Sequence, residues 1–413
     1  MSSSTMTGRP GTGYVNATMW AERLAARTRG QDGSIGAILA LANATGVINF
    51  SGGFPDPSLF PAEQLADITS RLLHDDAAVA LQYSASEGIA STREAIADRL
   101  ELTQGVRPAD TELMVTSGGI DALTLIGKSM LDPGDVAAVE SPTYLGAIIG
   151  FTSFAAQVRS VPTDDDGLDA DALAALLAGG LDPKVLYVIP DHQNPTGRSL
   201  SESRRHQLVE VCRRHHVLLV EDVAYRELSF AGHELPSLWS LGPDVVVQIG
   251  TFSKTFFPGI RLGWAAGPAA VIEQLVVAKQ NSDQCAGALG QRMLETFLRE
   301  GRYDDHVAAA RALYARRGAA MAAALERHFA GRGTWTVPHG GFFSWLHLPG
   351  VDTTVLAANA RAVDVAFVPG AGFFSDQPDT SHLRLSFSRI DEADIEQGIA
   401  RLAGVVASSG DPR

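Results

Sequence analysis

The chain has 413 residues, 45% of them hydrophobic and only 19% charged, with 33 basic against 47 acidic side chains and a formal net charge of −14. This length predicts two or three domains, and the low charged share excludes intrinsic disorder over most of the chain. The acidic balance argues against general nucleic-acid binding, which needs a basic footprint, and no apolar run reaches the ~18 residues of a membrane span. Cys212 and Cys285 are too few for a disulfide framework, and both fall in helix-like segments as packing thiols. The start, Met1-Ser2-Ser3-Ser4-Thr5-Met6, lacks a basic stretch followed by an apolar core, so no secretory signal is expected and the cytoplasm is the default location.

In chain order, residues 1–13 and 408–413 read as loose ends, with helices and strands alternating between them. Helices are predicted over Glu87–Leu100 and Asp121–Leu131, the second closed by Pro133-Gly134. Strands follow at Val136–Val139 and Val185–Ile189, then a helix over Ser201–His215 with Ser201 as N-cap. Further strands are predicted at Val217–Val220, Val245–Ile249 and Leu262–Ala266. These runs are continuously apolar rather than alternating, as in a mostly parallel sheet covered by helices on both faces. One long helical stretch from Ala269 to about Arg299 and another over Tyr303–Phe329 come next. Strands near Gly341–Leu346, Val365–Val368 and Leu383–Phe387 and a helix over Glu392–Leu402 complete the pattern. The expected fold is α/β: a large domain with a mostly parallel mixed sheet between helices, plus a smaller α+β domain. The expected division is 1–50, an N-terminal segment packing with the small domain, 51–300, the large domain, and 301–413, the small one.

Ligands in an open α/β sheet bind beyond the carboxyl ends of the strands, and five polar groups lie at such places. Thr251-Phe252-Ser253-Lys254, followed by Arg261, offers an amine that can condense with an aldehyde, and hydroxyls and a guanidinium that can hold a phosphate. The alternative is a loop lysine at the surface. Asp222, with Tyr225 three residues on, can pair with a protonated pyridine nitrogen while the tyrosine meets the ring's phenolic oxygen; the alternative is a capping aspartate. Asn194, in Pro190-Asp191-His192-Gln193-Asn194-Pro195, can donate to the same oxygen or simply form a turn. Gly118, Gly119 and Ile120, before the helix at Asp121, can turn backbone N–H groups to an anion, or be only a glycine turn. Arg384, inside the apolar strand Leu383–Phe387, needs a carboxylate unless it sits on an edge strand facing water.

Together with Ile48-Asn49-Phe50-Ser51-Gly52-Gly53-Phe54-Pro55-Asp56-Pro57, these groups make the chain from about Ile35 to Leu402 resemble the class I/II aminotransferases of fold type I, which depend on pyridoxal 5′-phosphate (PLP). Its pattern is similar to the 2-aminoadipate/kynurenine/aromatic aminotransferase branch. The resemblance implies an enzyme acting on an α-amino acid and a 2-keto acid. Lys254 falls on the lysine that binds the cofactor aldehyde, and Lys254, Asp222 and Tyr225 on catalytic positions. Gly118, Gly119, Ile120, Tyr144, Asn194, Thr251, Ser253 and Arg261 fall on cofactor-binding ones. Arg384 falls on the arginine for the substrate α-carboxylate, and Gly53 and Asn194 lie near the substrate. Tyr83 matches a tyrosine that reaches the neighbouring subunit's cofactor, implying a homodimer with shared sites. No metal site, membrane or nucleic acid is implied.

The sequence departs from the family in three places. Gly119 and Ile120 replace Ser and Gln; Asp191-His192 replaces a polar-aromatic pair, leaving His192 either near the ring or facing solvent. Gly36, in Ser34-Ile35-Gly36-Ala37-Ile38-Leu39, replaces an arginine that can meet a side-chain carboxylate, which weighs against 2-aminoadipate and other dicarboxylates. Two alternatives stay open. One is a PLP enzyme with another outcome, namely decarboxylating oxidative deamination, elimination or oxidation. The other is an effector-sensing module like those of DNA-binding regulators.

Overall fold

The structure is a computed structural model in which residues 46–232 and 235–409 are described, together with Trp20, Arg23–Ala25 and Arg27. The segment 34–39, with Gly36, lies outside the described residues, as do most of 1–45. Everything below concerns the unit Gly33–Arg413.

In chain order the strands are β1 (Ile48–Asn49), β2 (Leu113–Thr116), β3 (Val136–Ser141), β4 (Gln157–Asp164), β5 (Gly167–Leu168), β6 (Pro183–Val188) and β7 (Leu218–Asp222). They continue with β8 (Val246–Thr251), β9 (Gly263–Ala266), β10 (Thr334–Trp335), β11 (Phe343–His347), β12 (Val365–Ala366), β13 (Val368–Pro369) and β14 (His382–Ser386). The large sheet has the order β2-β9-β8-β7-β6-β3-β4-β5. Strands β8, β7, β6, β3 and β4 run parallel, and only β9 and β5 run against their neighbours. Its inner strands are buried on both faces: Val185–Val188, Leu219, Val220, Val246 and Val247 have no exposed surface. Each such side chain contributes about 1.5–3 kcal/mol by leaving water, which explains the continuous apolar runs. A four-stranded sheet, β10-β11-β14-β13, and the parallel pair β1-β12 stand apart from it.

The sheet matches the expected mostly parallel mixed sheet, and the differences have local causes. The helix expected from Glu87 starts at Ala90. Gly88 has φ +103 and lies so close to β2 that a Cβ would come within 2.5 Å of Val115 Cγ2. The stretch Ala269–Arg299 is two helices, Ala269–Gln280 and Ala288–Arg299. Asn281 Nδ2 takes the carbonyl of Val277, and Gln284 turns left-handed at φ +70. Cys285 therefore sits in a connection, not a helix; Cys212 is helical and buried. Val365–Val368 is not one strand: β12 pairs with β1 and β13 with β14. Ser201 is the N-cap position of the helix Glu202–His215 but makes no capping side-chain bond. The last helix runs on to Ser409, with Val405 and Val406 packed on the core.

Candidate active site

The carboxyl ends of β3, β6, β7 and β8 open on one cavity of about 480 Å³. Lys254 stands three residues beyond β8 with its Nζ donating to the Gly53 carbonyl at 2.8 Å. Burial, reinforced by the Arg384 charge and opposed by Asp222, brings its pKa down to about 8. A substantial neutral fraction, the nucleophilic form, is thus present near neutral pH. Asp222 ends β7. Its Oδ2 accepts from the Tyr187 hydroxyl at 2.7 Å and its Oδ1 from the Ala224 N–H at 3.0 Å. Burial raises its pKa, while Tyr187, Ala224 and Lys254 hold it down. Tyr225 is buried edge-on to Phe342 and Phe343, at 5.5 and 5.7 Å; burial pushes its hydroxyl up and a hydrogen bond with Asn194 opposes this.

At the other end, the helix begins at Gly119, two residues before the expected Asp121, with Gly118 as its N-cap at φ +99. The positive φ favours glycine at Gly118, and a Cβ there would lie 2.7 Å from Arg261 Nη2 and push the guanidinium aside. Arg261 donates through Nη1 to Ser253 Oγ at 3.3 Å and through Nη2 to the Ser117 carbonyl at 3.1 Å. Thr251 Oγ1 donates to Ser253 Oγ at 3.0 Å. Gly119, Ile120, Thr251, Ser253 and Arg261 all line the cavity beside this N-terminus, whose first N–H groups have no intrahelical partner. An arginine, two hydroxyls and a helix start make an anion cradle.

Arg384 lies in β14, between β11 and β13. It is 5% exposed, so the edge-strand alternative fails. Among the described residues it meets no carboxylate. Nη1 donates to Asn194 Oδ1 at 2.8 Å and Nη2 to the Ser51 carbonyl at 2.7 Å, while Nε has no partner. The rings of Phe343 and Phe373 flank it, 4.4 and 5.1 Å from its Cζ. Gly53 lets Phe343 approach: a Cβ there would touch the ring at 2.6 Å. Tyr144 also lines the cavity, its hydroxyl pushed up to about 12 by burial and the Asp222 charge.

Two expected residues are elsewhere. Tyr83 is 79% exposed and does not line the cavity. His192 faces neither the cavity nor open solvent: it is 7% exposed and packed so tightly on Gly340 that a Cβ there would sit 2.3 Å from the ring. Burial lowers its pKa to about 4. The neighbouring Asp191 is sunk in a pair of ion contacts with Arg205 at 2.6 Å and Arg226 at 3.0 Å, which overcome burial and hold it at about 2. Sequence reasoning passed over Tyr187, Glu140, Phe54, Phe343 and Lys279. Tyr187 carried a signal: a hydroxyl in a strand buried on both faces must find a partner. Glu140 carried one too, as a carboxylate closing an apolar strand. It accepts from Ile189 N–H at 2.9 Å and Gln193 Nε2 at 3.3 Å, and burial raises its pKa to about 8.

A softened amine, an anchored carboxylate and an anion cradle around one cavity are the parts of a PLP-dependent transferase. The cofactor's aldehyde, ring nitrogen and phosphate each have a matching group, and the residues fit it. The family model for aminotransferase class I and II matches residues 45–402, and the chain belongs to that family. It is 36% identical to aromatic-amino-acid aminotransferase 1 of Thermococcus litoralis, over 89% of this chain and 90% of that protein. The kynurenine aminotransferase of Pyrococcus horikoshii, solved with PMP, is similar with a TM-score of 0.90 at 33% identity, covering 95% of this chain and 99% of that one. The α-aminoadipate aminotransferase of Thermus thermophilus, solved with N-(5′-phosphopyridoxyl)-L-leucine, is similar with a TM-score of 0.87 at 35% identity, covering 94% and 98%. The chain is thus a fold type I, PLP-dependent aminotransferase acting on amino and keto acids. No helix among the described residues is long and apolar enough to cross a membrane.

Proposed function

We propose that this enzyme transfers the amino group of an uncharged, apolar or aromatic α-amino acid to a 2-keto acid. When bound, PLP supplies an aldehyde for the amine and a ring that withdraws electrons from the substrate Cα. Lys254 would hold it through Nζ, and the same amine is the base that would take the proton from the substrate Cα. Asp222 keeps a proton on the pyridine nitrogen, oriented by Tyr187 and the Ala224 N–H. Tyr225 and Asn194 hydrogen-bond the phenolic oxygen. Ser253, Thr251, Arg261 and the Gly118–Ile120 turn would hold the phosphate, and Tyr144 lines the cavity where the ring would lie. Arg384, beside Asn194 and Gly53, binds the substrate carboxylate.

The observation that carries this reading is Arg384: a buried guanidinium with no carboxylate among the described residues, on the same cavity as Lys254. The side-chain preference rests on the apolar lining of Phe54, Leu123 and Leu145, with Phe343 and Phe373 beside Arg384. Tyr83, with Leu81 and Val79 also exposed, supports a homodimer in which this tyrosine completes the partner's site. We place residues 51–300 in the large domain, 301–413 in the small domain, and the enzyme in the cytoplasm; most of the segment 1–50 lies outside the described residues. The test is a single half-reaction with leucine, phenylalanine, kynurenine, glutamate and 2-aminoadipate. One keto acid per site, with no CO₂ released and no O₂ consumed, is expected from the apolar and aromatic donors. CO₂ release or O₂ consumption would favour decarboxylating or oxidative chemistry instead, and a preference for the dicarboxylates would overturn the side-chain assignment.

A further inference from the structure

Lys279, in the last turn of the helix Ala269–Gln280, has no exposed surface. Its Nζ donates to Asp121 Oδ2 at 2.8 Å, to both carboxylate oxygens of Asp283 at 2.8 Å, and to Ser117 Oγ at 3.1 Å. Asp121 stands in the first turn of the helix that opens at Gly119, and its Oδ2 also accepts from the Ser117 N–H at 2.7 Å. Ser117 Oγ donates to Asp283 Oδ2 at 2.5 Å, and the Ser117 carbonyl accepts from Arg261 Nη2. Each polar group of Ser117 is therefore held, and the residue is the last before the glycine turn of the anion cradle.

The charges need explaining. A carboxylate in the first turn steadies a helix, but it also opposes any anion bound at the same N-terminus. Asp121 and Asp283 together put two negative charges beside a turn that has to receive a phosphate dianion. The Lys279 ammonium cancels one of them, and its full burial keeps water from screening that effect. The sequence hides this, because Lys279 falls within a helix whose other residues are mostly apolar or small.

We propose that Lys279 is a positioning residue for the phosphate end of the active site: it neutralises the carboxylate at the helix start and fixes Ser117, so that the turn and Arg261 can receive the phosphate. The inference rests on the reading of this turn and Arg261 as the phosphate cradle. Its consequence is selective, weakening the hold on the phosphate and not on the aldehyde or the ring.

The test compares reconstitution of the cofactor-free protein with PLP and with pyridoxal, which lacks the phosphate, followed by absorbance and by equilibrium dialysis. Lys279→Met is expected to weaken PLP about 10- to 100-fold, the range for loss of a charged partner at a buried site, and to leave pyridoxal within about twofold. Asp121→Asn combined with Lys279→Met restores the original net charge and is expected to recover most of the PLP affinity. Equal losses for the two aldehydes, or a double variant no better than the single one, would overturn the proposal. Should Lys279→Met not fold, the double variant against the unmodified enzyme decides: a PLP loss beyond about tenfold counts against it. An unmodified enzyme that binds PLP no better than pyridoxal would instead remove the phosphate-cradle reading itself.

Discussion

Replacing Arg384 with Met separates binding from stability. A buried ion carries a desolvation cost of several kcal/mol. Here no carboxylate among the described residues offsets it; the Asn194 and Ser51 hydrogen bonds at 2.8 and 2.7 Å and the two flanking rings do. Those two bonds, at about 1.5–3 kcal/mol each for a charged donor, roughly balance the cost. Methionine is uncharged and of similar length, so Arg384→Met should change unfolding stability by no more than about 1–2 kcal/mol. Substrate binding loses a fully desolvated charge pair, about 2–5 kcal/mol, or roughly 30- to several-thousand-fold in kcat/KM at 1.4 kcal/mol per tenfold. Steady-state kinetics with a carboxylate-bearing donor and with the corresponding primary amine, alongside chemical denaturation, read both quantities. The amino acid should lose its advantage over the amine while the denaturation midpoint scarcely moves. A variant that keeps discriminating for the carboxylate, or one destabilised by more than about 4 kcal/mol, would refute the assignment of Arg384 as a cation waiting for substrate.

Three further outcomes follow from the site. Because burial and Arg384 hold the Lys254 amine at about 8, its neutral fraction grows as pH rises through that value. Stopped-flow uptake of PLP by the cofactor-free protein should accelerate with pH and level off above it, and Arg384→Met should move the midpoint upward; a flat profile from pH 6 to 10 would contradict this. Tyr187→Phe removes a donor from Asp222 Oδ2, worth about 1.5–3 kcal/mol to the carboxylate, so a fall in kcat of about tenfold or more is expected with a shifted spectral titration of the bound cofactor. Gly118→Ala meets both a left-handed φ of +99 and Arg261 at 2.7 Å; the backbone alone costs about 1–2 kcal/mol, and calorimetric PLP binding should weaken at least tenfold.

The strands of the large sheet were legible because strands buried on both faces must be apolar throughout, as Val185–Val188 and Leu219–Val220 are. Polar residues at their ends then stood out, and Asp222, Lys254, Asn194 and Arg261 do come to one place. What stayed hidden depends on partners distant in sequence. The break in Ala269–Arg299 is an exception, since Asn281 caps Val277 from only four residues away and ends the first helix. Lys279 reads as one polar position in an apolar helix until Asp121, 158 residues away, arrives beside it. His192 could be read as lying near the ring or facing solvent, and it does neither, because it is buried against the close backbone of Gly340. Tyr83 matches its motif but is exposed and does not line this chain's cavity.

The covalent role of Lys254 is open to direct mapping. The lysines of the chain are Lys128, Lys184, Lys254 and Lys279, so borohydride reduction of the PLP-loaded enzyme, followed by digestion and mass spectrometry, distinguishes them without ambiguity. A single pyridoxyl group on the peptide containing Lys254 is the expected result. The same label on Lys279 or another lysine, or no label on a protein that turns over amino acids, would contradict it.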